Sequence, residues 1–163
     1  MPTLITFTGI DMRQFWDWLA NTEFVFQLGA TWLFPFVESL HVLFIVTLVG
    51  SIVLADLRAL GYVAADLDGR VFVRGLTRVA WITFPPAVIT GVLMFITRPE
   101  GYLANPAFII KGVLLALAGA NVWIYYRLQR GSNEHLKKYS AFASLLFWVG
   151  VIFAGRWIGH IST

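Results

Sequence analysis

The stretch that decides the fold is residues 32–55, which read WLFPFVESLHVLFIVTLVGSIVLA. A hydrocarbon core roughly 30 Å thick needs about 20 apolar residues in a helix, and this run is long enough to cross it. It nevertheless contains Glu38 and His41, which share a helical face because they are three positions apart. An ionisable side chain at mid-span costs about 2.5–3.5 kcal/mol on insertion scales, so the pair indicates a polar site with a partner or a task.

The composition of the whole chain indicates an integral membrane protein. Of its 163 residues, 58% are hydrophobic and 13% are charged, and the mean hydropathy is +0.74. Soluble domains carry about 25% charged residues. The chain has no cysteine, which excludes disulfides, thiolate metal sites and thiol redox chemistry. The basic residues behind the net charge of +3 lie beside apolar spans, as in membrane proteins whose orientation is set by such residues. No nucleic-acid partner is therefore expected.

Hydrophobic patterning predicts one transmembrane domain over residues 1–163, an all-α four-helix bundle with a short interfacial N-terminal helix. The interfacial helix is expected over residues 11–27, where aromatic and charged residues alternate. The four spans are predicted over residues 31–56, 79–97, 106–127 and 139–160. The first residues lack the basic and apolar regions of a cleavable signal peptide, so the first span should serve as the insertion signal.

Basic residues predict how the bundle is oriented. Most of them fall in the segments that follow the first and third spans: Arg58, Arg70, Arg74, Arg78, Arg127, Arg130, Lys137 and Lys138. The opposite side has only Arg13 and Arg98 outside the spans. The positive-inside rule therefore places both termini outside the cytoplasm.

Three charged residues are predicted to lie at one depth. Counted at 1.5 Å per residue, Glu38, Lys111 and Arg156 all fall about 10 Å below the outer surface. One interpretation is a shared polar site whose members compensate one another. The other is structural: a Glu38–Lys111 ion pair that fixes helix register, with Arg156 extending to the surface.

His41 lies one turn deeper, about 15 Å from the outer face. It is a candidate for a neutral histidine that donates to a carbonyl, for a proton relay with Glu38, or for a haem or metal ligand. His160 shares a face with Arg156 but differs from His41 by about 10 Å in depth, so the two make a poor bis-histidine haem site. Asn121 is another buried polar group that needs a partner. Copper is less favoured, since there is no cysteine and no methionine cluster.

Three segments carry a resemblance to a known group. They are WLFPFVESLHVLFIVTLVGSIVLADLRALG, NPAFIIKGVLLALAGAN and GVIFAGRWI. Together they resemble an uncharacterised family of bacterial four-span membrane proteins, related to the copper-resistance-protein-D-like group that includes HemJ-type protoporphyrinogen oxidases. The resemblance implies haem b or tetrapyrrole chemistry between the first and third spans, with His41 and Lys111 matching a histidine and a lysine of the HemJ type. Where related sequences often end the third span in histidine, this chain has Tyr125 and Tyr126.

The leading expectation is a small membrane redox protein that binds haem b, a related tetrapyrrole or a quinone near the outer leaflet. The candidate catalytic residues are Glu38 and His41, and His41 is the candidate metal ligand. The candidate cofactor-binding residues are His41, Lys111, Asn121, Arg156 and His160. The alternatives are a non-catalytic membrane anchor or accessory subunit, and transport of a copper ion or proton. The expected partners are the lipid bilayer, a membrane or periplasmic redox protein, and other copies of the chain.

Overall fold

The described part of the chain is helical throughout. A computed structural model describes residues 12–64, 66, 68–128 and 134–161. Its helices are α1 (Met12–Ala20), α2 (Glu23–Ala30), α3 (Leu33–Leu60), α4 (Gly69–Thr97), α5 (Pro99–Ala104), α6 (Pro106–Leu128) and α7 (Glu134–Ile161). Of these, α3, α4, α6 and α7 are long and apolar enough to cross a membrane. The predicted all-α class with four candidate spans is therefore confirmed, and Arg130 and residues 1–11 lie outside the described residues.

Two of the long helices extend further than the predicted spans. The α3 helix continues to Leu60 and ends at Gly61, whose φ of 90° is the left-handed conformation that glycine adopts without strain. The α4 helix begins ten residues before the predicted span, because the Asp68 side chain accepts from the backbone N–H of Arg70 and Val71. Part of the expected loop is thus helical, and its arginines project from α4. We call this side of the bundle the basic end.

The N-terminal segment and the second connection also differ from expectation. The predicted interfacial helix corresponds to two helices, α1 and α2, because the side chains of Asn21 and Thr22 bond back to the carbonyls of Asp17 and Leu19 and end α1. Residues 98–105, expected as a loop, contain the short helix α5, which begins at Pro99.

The long helices form two antiparallel pairs. The α3 helix packs along α4, the α6 helix packs along α7, and α3 joins the pairs through α7. Within the described chain, α4 and α6 do not pack along their lengths. They meet opposite the basic end, where the rings of Phe95 and Phe108 stack with centroids 5.6 Å apart. We call the line between α4 and α6 the open seam.

Four aromatic rings gather where the open seam is bridged. Tyr102 of α5 lies 6.1 Å from Phe95 and 5.4 Å from Phe108, and Trp16 of α1 lies 5.7 Å from Phe95, all between ring centroids. We call Trp16, Phe95, Tyr102 and Phe108 the aromatic cluster, and this side of the bundle the aromatic end. The short helices α1 and α5 thus help to hold α4 and α6 together.

An apolar layer fills the middle of the bundle. Its buried members are Leu48, Val49, Ala118, Trp148 and Val151, contributed by α3, α6 and α7. Many other large apolar side chains are exposed along the long helices, as expected for surfaces covered by lipid.

Small residues let α6 and α7 approach closely, but not every small residue of these helices takes part. A Cβ on Gly150 would lie 3.0 Å from Leu114 Cδ1, and one on Gly155 would lie 3.6 Å from Lys111 Nζ. In contrast, Gly112, Ala116 and Ala120 are exposed on α6. The α6–α7 contact therefore depends on glycines of α7.

Replacing Gly150 by leucine should destabilise the protein. The new side chain would have to displace Leu114, and overpacking of this kind costs about 1–3 kcal/mol. We expect Gly150→Leu to lower the midpoint of thermal unfolding in detergent. Gly112→Leu is the matched control, because nothing lies within 4 Å of a Cβ at that position. Equal midpoints for the two variants would contradict this view of the α6–α7 contact.

Candidate functional site

His41 is held by α4 through a single ring nitrogen. Its Nδ1 lies 3.1 Å from the Ala87 carbonyl oxygen and 3.0 Å from Thr90 Oγ1. A carbonyl can only accept, so Nδ1 carries the hydrogen. The Thr90 hydroxyl donates to the Pro86 carbonyl at 2.7 Å and is therefore an acceptor towards the ring. With Nδ1 as the donor, the neutral ring has its lone pair on Nε2, where it can act as a base or a ligand.

The backbone of α4 makes room for the His41 ring. Ala87 and Thr90 are buried, and a Cβ on Gly91 would lie 3.1 Å from His41 Cε1. Any larger residue at Gly91 would press on the ring. The helix continues without a break through Pro85 and Pro86. Ala87, Thr90 and Gly91 lie just after these prolines, about one helical turn apart.

Lys111 lies against α7 and within electrostatic range of His41. A Cβ on Gly155 would meet the Lys111 side chain at Nζ, Cε and Cδ within 3.6–4.0 Å. The ammonium is also close enough to His41 to act on the charge of its ring. His41, Lys111 and Gly155 each lie about two turns from the aromatic end of their helices. We call His41, Ala87, Thr90, Gly91 and Lys111 the His41 site.

Glu38 does not join this group. It is exposed, and its electrostatic neighbour is Tyr102 of the aromatic cluster. Burial raises the pKa of Tyr102, the Glu38 carboxylate raises it further, and Arg98 lowers it. Glu38 thus lies near the surface that α5 covers, between the His41 site and the aromatic end.

The predicted charged trio is not joined by ion pairs. In the described residues no salt bridge connects Glu38, Lys111 and Arg156, although the three lie at similar depth. Arg156 is exposed, since Gly155 rather than Arg156 faces Lys111. Lys111 is the half-buried member of the three, and it approaches His41 instead of a carboxylate.

The other two predicted cofactor-binding residues lie elsewhere. Asn121 donates to the Ser140 carbonyl at 2.9 Å and accepts from the Ser140 hydroxyl at 3.0 Å. Ten residues separate it from Lys111 along α6, about 15 Å. His160 is exposed at the end of α7, with its ring 6.4 Å from that of Trp157. The structure brings neither residue to the His41 site, and Asn121 is occupied in joining α6 to α7.

Sequence reasoning missed the α4 half of the site. Ala87, Thr90 and Gly91 look like ordinary residues of an apolar span, and only the nearby Pro85 and Pro86 mark this region as unusual. Threonines that bond to their own helix also occur at Thr77 and Thr83, so the residue type is no signal by itself. Which turn of α4 faces His41 depends on helix register, which the sequence does not show.

The chemistry open to the site is that of one imidazole and one amine. In the described chain no group of three histidine, cysteine, aspartate or glutamate side chains could hold a metal ion. A site with three protein ligands of these types is therefore not formed by those residues. One neutral imidazole beside an ammonium suits a single axial ligand or a proton acceptor next to an anionic or carbonyl oxygen.

Comparison with known proteins gives one match. A family described as a family of unknown function (DUF6644) matches residues 15–161, which include every residue of the His41 site. No curated protein and no solved structure matches the chain. The matching family carries no statement of activity, ligand or partner.

The contact of Thr90 with His41 should contribute to stability. We expect Thr90→Val to lower the free energy of unfolding in detergent by about 1 kcal/mol, because His41 loses one of its two acceptors. Thr83→Val is the matched control, since the Thr83 hydroxyl bonds only to the Val79 and Ala80 carbonyls of its own helix. Equal losses would show that the His41 contact contributes nothing.

The placement of Glu38 can be measured through Tyr102. Glu38→Gln removes a negative charge near the phenol, so we expect the pKa of Tyr102 to fall. Arg98→Gln should raise it. Absorbance titration of tyrosinate measures the shift, and Tyr102→Phe identifies the contribution of this tyrosine. A pKa of Tyr102 that Glu38→Gln leaves unchanged would place Glu38 elsewhere.

Proposed function

The chain belongs to the family DUF6644, and from its own residues we propose that it is a small membrane redox protein. It binds haem b, a related tetrapyrrole or a quinone in the outer half of the bundle, at the His41 site. The observation that carries the proposal is the hydrogen bond from His41 Nδ1 to the Ala87 carbonyl.

This hydrogen bond prepares His41 as a ligand. Histidines that bind metals almost always donate their second ring N–H to a carbonyl, carboxylate or water, which fixes the tautomer and increases the basicity of the free nitrogen. His41 meets this condition, since Nδ1 is the donor and Nε2 keeps its lone pair. A histidine with only a packing role has no need of this arrangement inside a membrane span, where an apolar residue would cost less.

Lys111 supports an anionic or carbonyl-bearing ligand. An amine in a membrane span is costly unless a partner compensates it, and no carboxylate of the described chain forms an ion pair with Lys111. A haem propionate or a quinone oxygen would supply the missing acceptor. Glu38, exposed between the site and the aromatic end, is placed to exchange protons with the surface.

The residues present fit such a group in part. His41 would supply one ligand to the iron, since Gly91 accommodates its ring, and the open seam would let a lipophilic molecule approach between α4 and α6. Within the described residues no second histidine lies at the depth of His41, so haem would have a single protein ligand. When bound, haem b supplies a one-electron couple and a quinone a two-electron, two-proton couple. The resemblance to the HemJ type, with its histidine and lysine, points to the same two residues.

The charge distribution supports an orientation with the basic end in the cytoplasm of a bacterial inner membrane. Both termini and the His41 site then lie on the periplasmic side. An electron donor or acceptor would accordingly be a membrane or periplasmic protein.

A second candidate is a non-catalytic membrane anchor or accessory subunit. One observation favours it: Gly112, Ala116 and Ala120 form an exposed row of small residues on α6. Rows of this spacing let helices of neighbouring membrane proteins approach closely. In that case the contact of His41 with α4 would serve only to join α3 and α4.

A visible absorption spectrum of the detergent-purified protein separates the two candidates. For haem b we expect a Soret band that shifts on reduction with dithionite, together with sharpened α and β bands. His41→Ala should abolish the Soret band, and added imidazole should restore it. His135→Ala is the matched control, because His135 is exposed at the basic end.

Three outcomes would count against parts of the proposal. If the protein stays colourless after expression with added haem, only the quinone form of the proposal remains. Extraction and chromatography of bound quinone would then test that form. Absence of both haem and quinone would favour the anchor. A Soret band that survives His41→Ala would exclude His41 as the ligand.

A further inference from the structure

Asp56 is an unusual acid near the basic end of α3. Its Oδ2 atom is buried and has no hydrogen-bond partner in the described chain. Among the described residues, the polar partner of the carboxyl group is the hydroxyl of Ser144, on α7. Asp56 therefore lies between two packed helices, at the end of the predicted first span.

A second orphaned polar atom lies close by along α7. Trp148 follows Ser144 by one turn, and its Nε1 is also buried without a partner. Trp148 belongs to the apolar layer with Leu48 and Val151. The Asp56 carboxyl thus borders the apolar layer on one side and the basic end on the other.

The charged groups around Asp56 do not neutralise it. On its own helix, Arg58 lies against the start of α4, where a Cβ on Gly69 would be 2.9 Å from its guanidinium. The other basic groups at this end are Arg70, Arg74 and Arg78 of α4, Arg127 of α6, and Lys137, Lys138 and His135 of α7. In the described residues none of these forms an ion pair with Asp56. The acidic groups Asp66 and Asp68 are exposed in the connection from α3 to α4.

A bare carboxylate in this position would be strongly disfavoured. It would lose its hydration, gain one hydrogen bond and receive no counter-charge, and under such conditions an acid takes up a proton instead. The same geometry excludes binding of a hard metal cation at Asp56. Ca²⁺ takes six to eight oxygen ligands, whereas this site offers one carboxyl group and one hydroxyl.

We propose that Asp56 is an intramembrane proton-binding site, a carboxyl group that takes up a proton in mildly acidic solution, where exposed aspartates stay ionised, and exchanges it with the basic end of the bundle. The Ser144 hydroxyl holds the carboxyl group in place. The apolar layer of Leu48, Val49, Ala118, Trp148 and Val151 lies between this site and His41. The site is therefore independent of the proposed cofactor and would remain if no cofactor binds.

A lipophilic carbodiimide tests the proposal. A protonated carboxyl group adds across a C=N bond of the reagent: the acid oxygen bonds to carbon and the acid proton goes to nitrogen. The product rearranges to a stable N-acylurea with no leaving group, so the protein gains the mass of the whole reagent. Intact-protein and peptide mass spectrometry should find one adduct, on Asp56, in detergent at about pH 5, where exposed aspartates are ionised.

Two variants make the labelling specific. Asp56→Asn should abolish the adduct, and Glu100→Gln, at an exposed acid of the aromatic end, should leave it unchanged. An adduct that persists in Asp56→Asn would overturn the proposal.

Infrared spectroscopy decides the matter independently of reagent access. The difference spectrum between the wild-type protein and Asp56→Asn at about pH 5, where exposed aspartates are ionised, should show the loss of one protonated-carboxyl C=O band. Loss of carboxylate bands instead would mean that Asp56 is ionised, and the proposal would fail whatever the labelling gives.

Discussion

A polar group inside the bundle has to find its partner within the protein, because hydrocarbon offers none. His41 meets this requirement at the Ala87 carbonyl and Thr90 hydroxyl of α4. The same contact ties α3 to α4 and selects the ring tautomer. The demand of the membrane for satisfied polar groups thus produces, without further residues, an imidazole whose Nε2 is a competent base or ligand. Lys111 lacks such a partner in the described residues. It lies against the backbone at Gly155 and within electrostatic range of His41, and it forms no ion pair with a carboxylate.

The arrangement of the helices leaves the His41 site open to the lipid. Two antiparallel pairs joined by α3 and α7 leave α4 and α6 apart along most of their lengths. The aromatic cluster bridges them only at one end, directly outside the level of His41 and Lys111. A bundle closed on all four sides would bury these two residues among side chains. Because the open seam faces lipid, a lipophilic molecule could reach them from within the membrane and would be stopped from leaving towards the surface by stacked rings.

The sequence predicts those features that depend on position along one helix. The number of spans and the all-α class follow from apolar runs that are long enough to cross a bilayer. Helix ends did not follow, because Asp68 starts α4 ten residues before the apolar run and Gly61 ends α3 one turn beyond it. Features that depend on how helices face each other were not predictable either. The positions of Glu38 and Arg156 along their helices were clear, but their outward rotation was not. Asn121 needed a partner, yet only the packing of α6 on α7 shows that the partner is Ser140.

The order of residues along α3 limits what a single chain can do. His41, Leu48 and Asp56 succeed one another at intervals of seven and eight residues, about two turns each, so they lie near one face of the helix. The middle position belongs to an apolar layer in which the described residues offer one orphaned polar atom, Trp148 Nε1. An ion crossing the bundle would have to shed its hydration there without replacement, which is prohibitive for a charge. Transport of copper or protons through one chain would therefore require the layer to open, whereas the proposed redox chemistry at His41 and the proposed proton exchange at Asp56 would not.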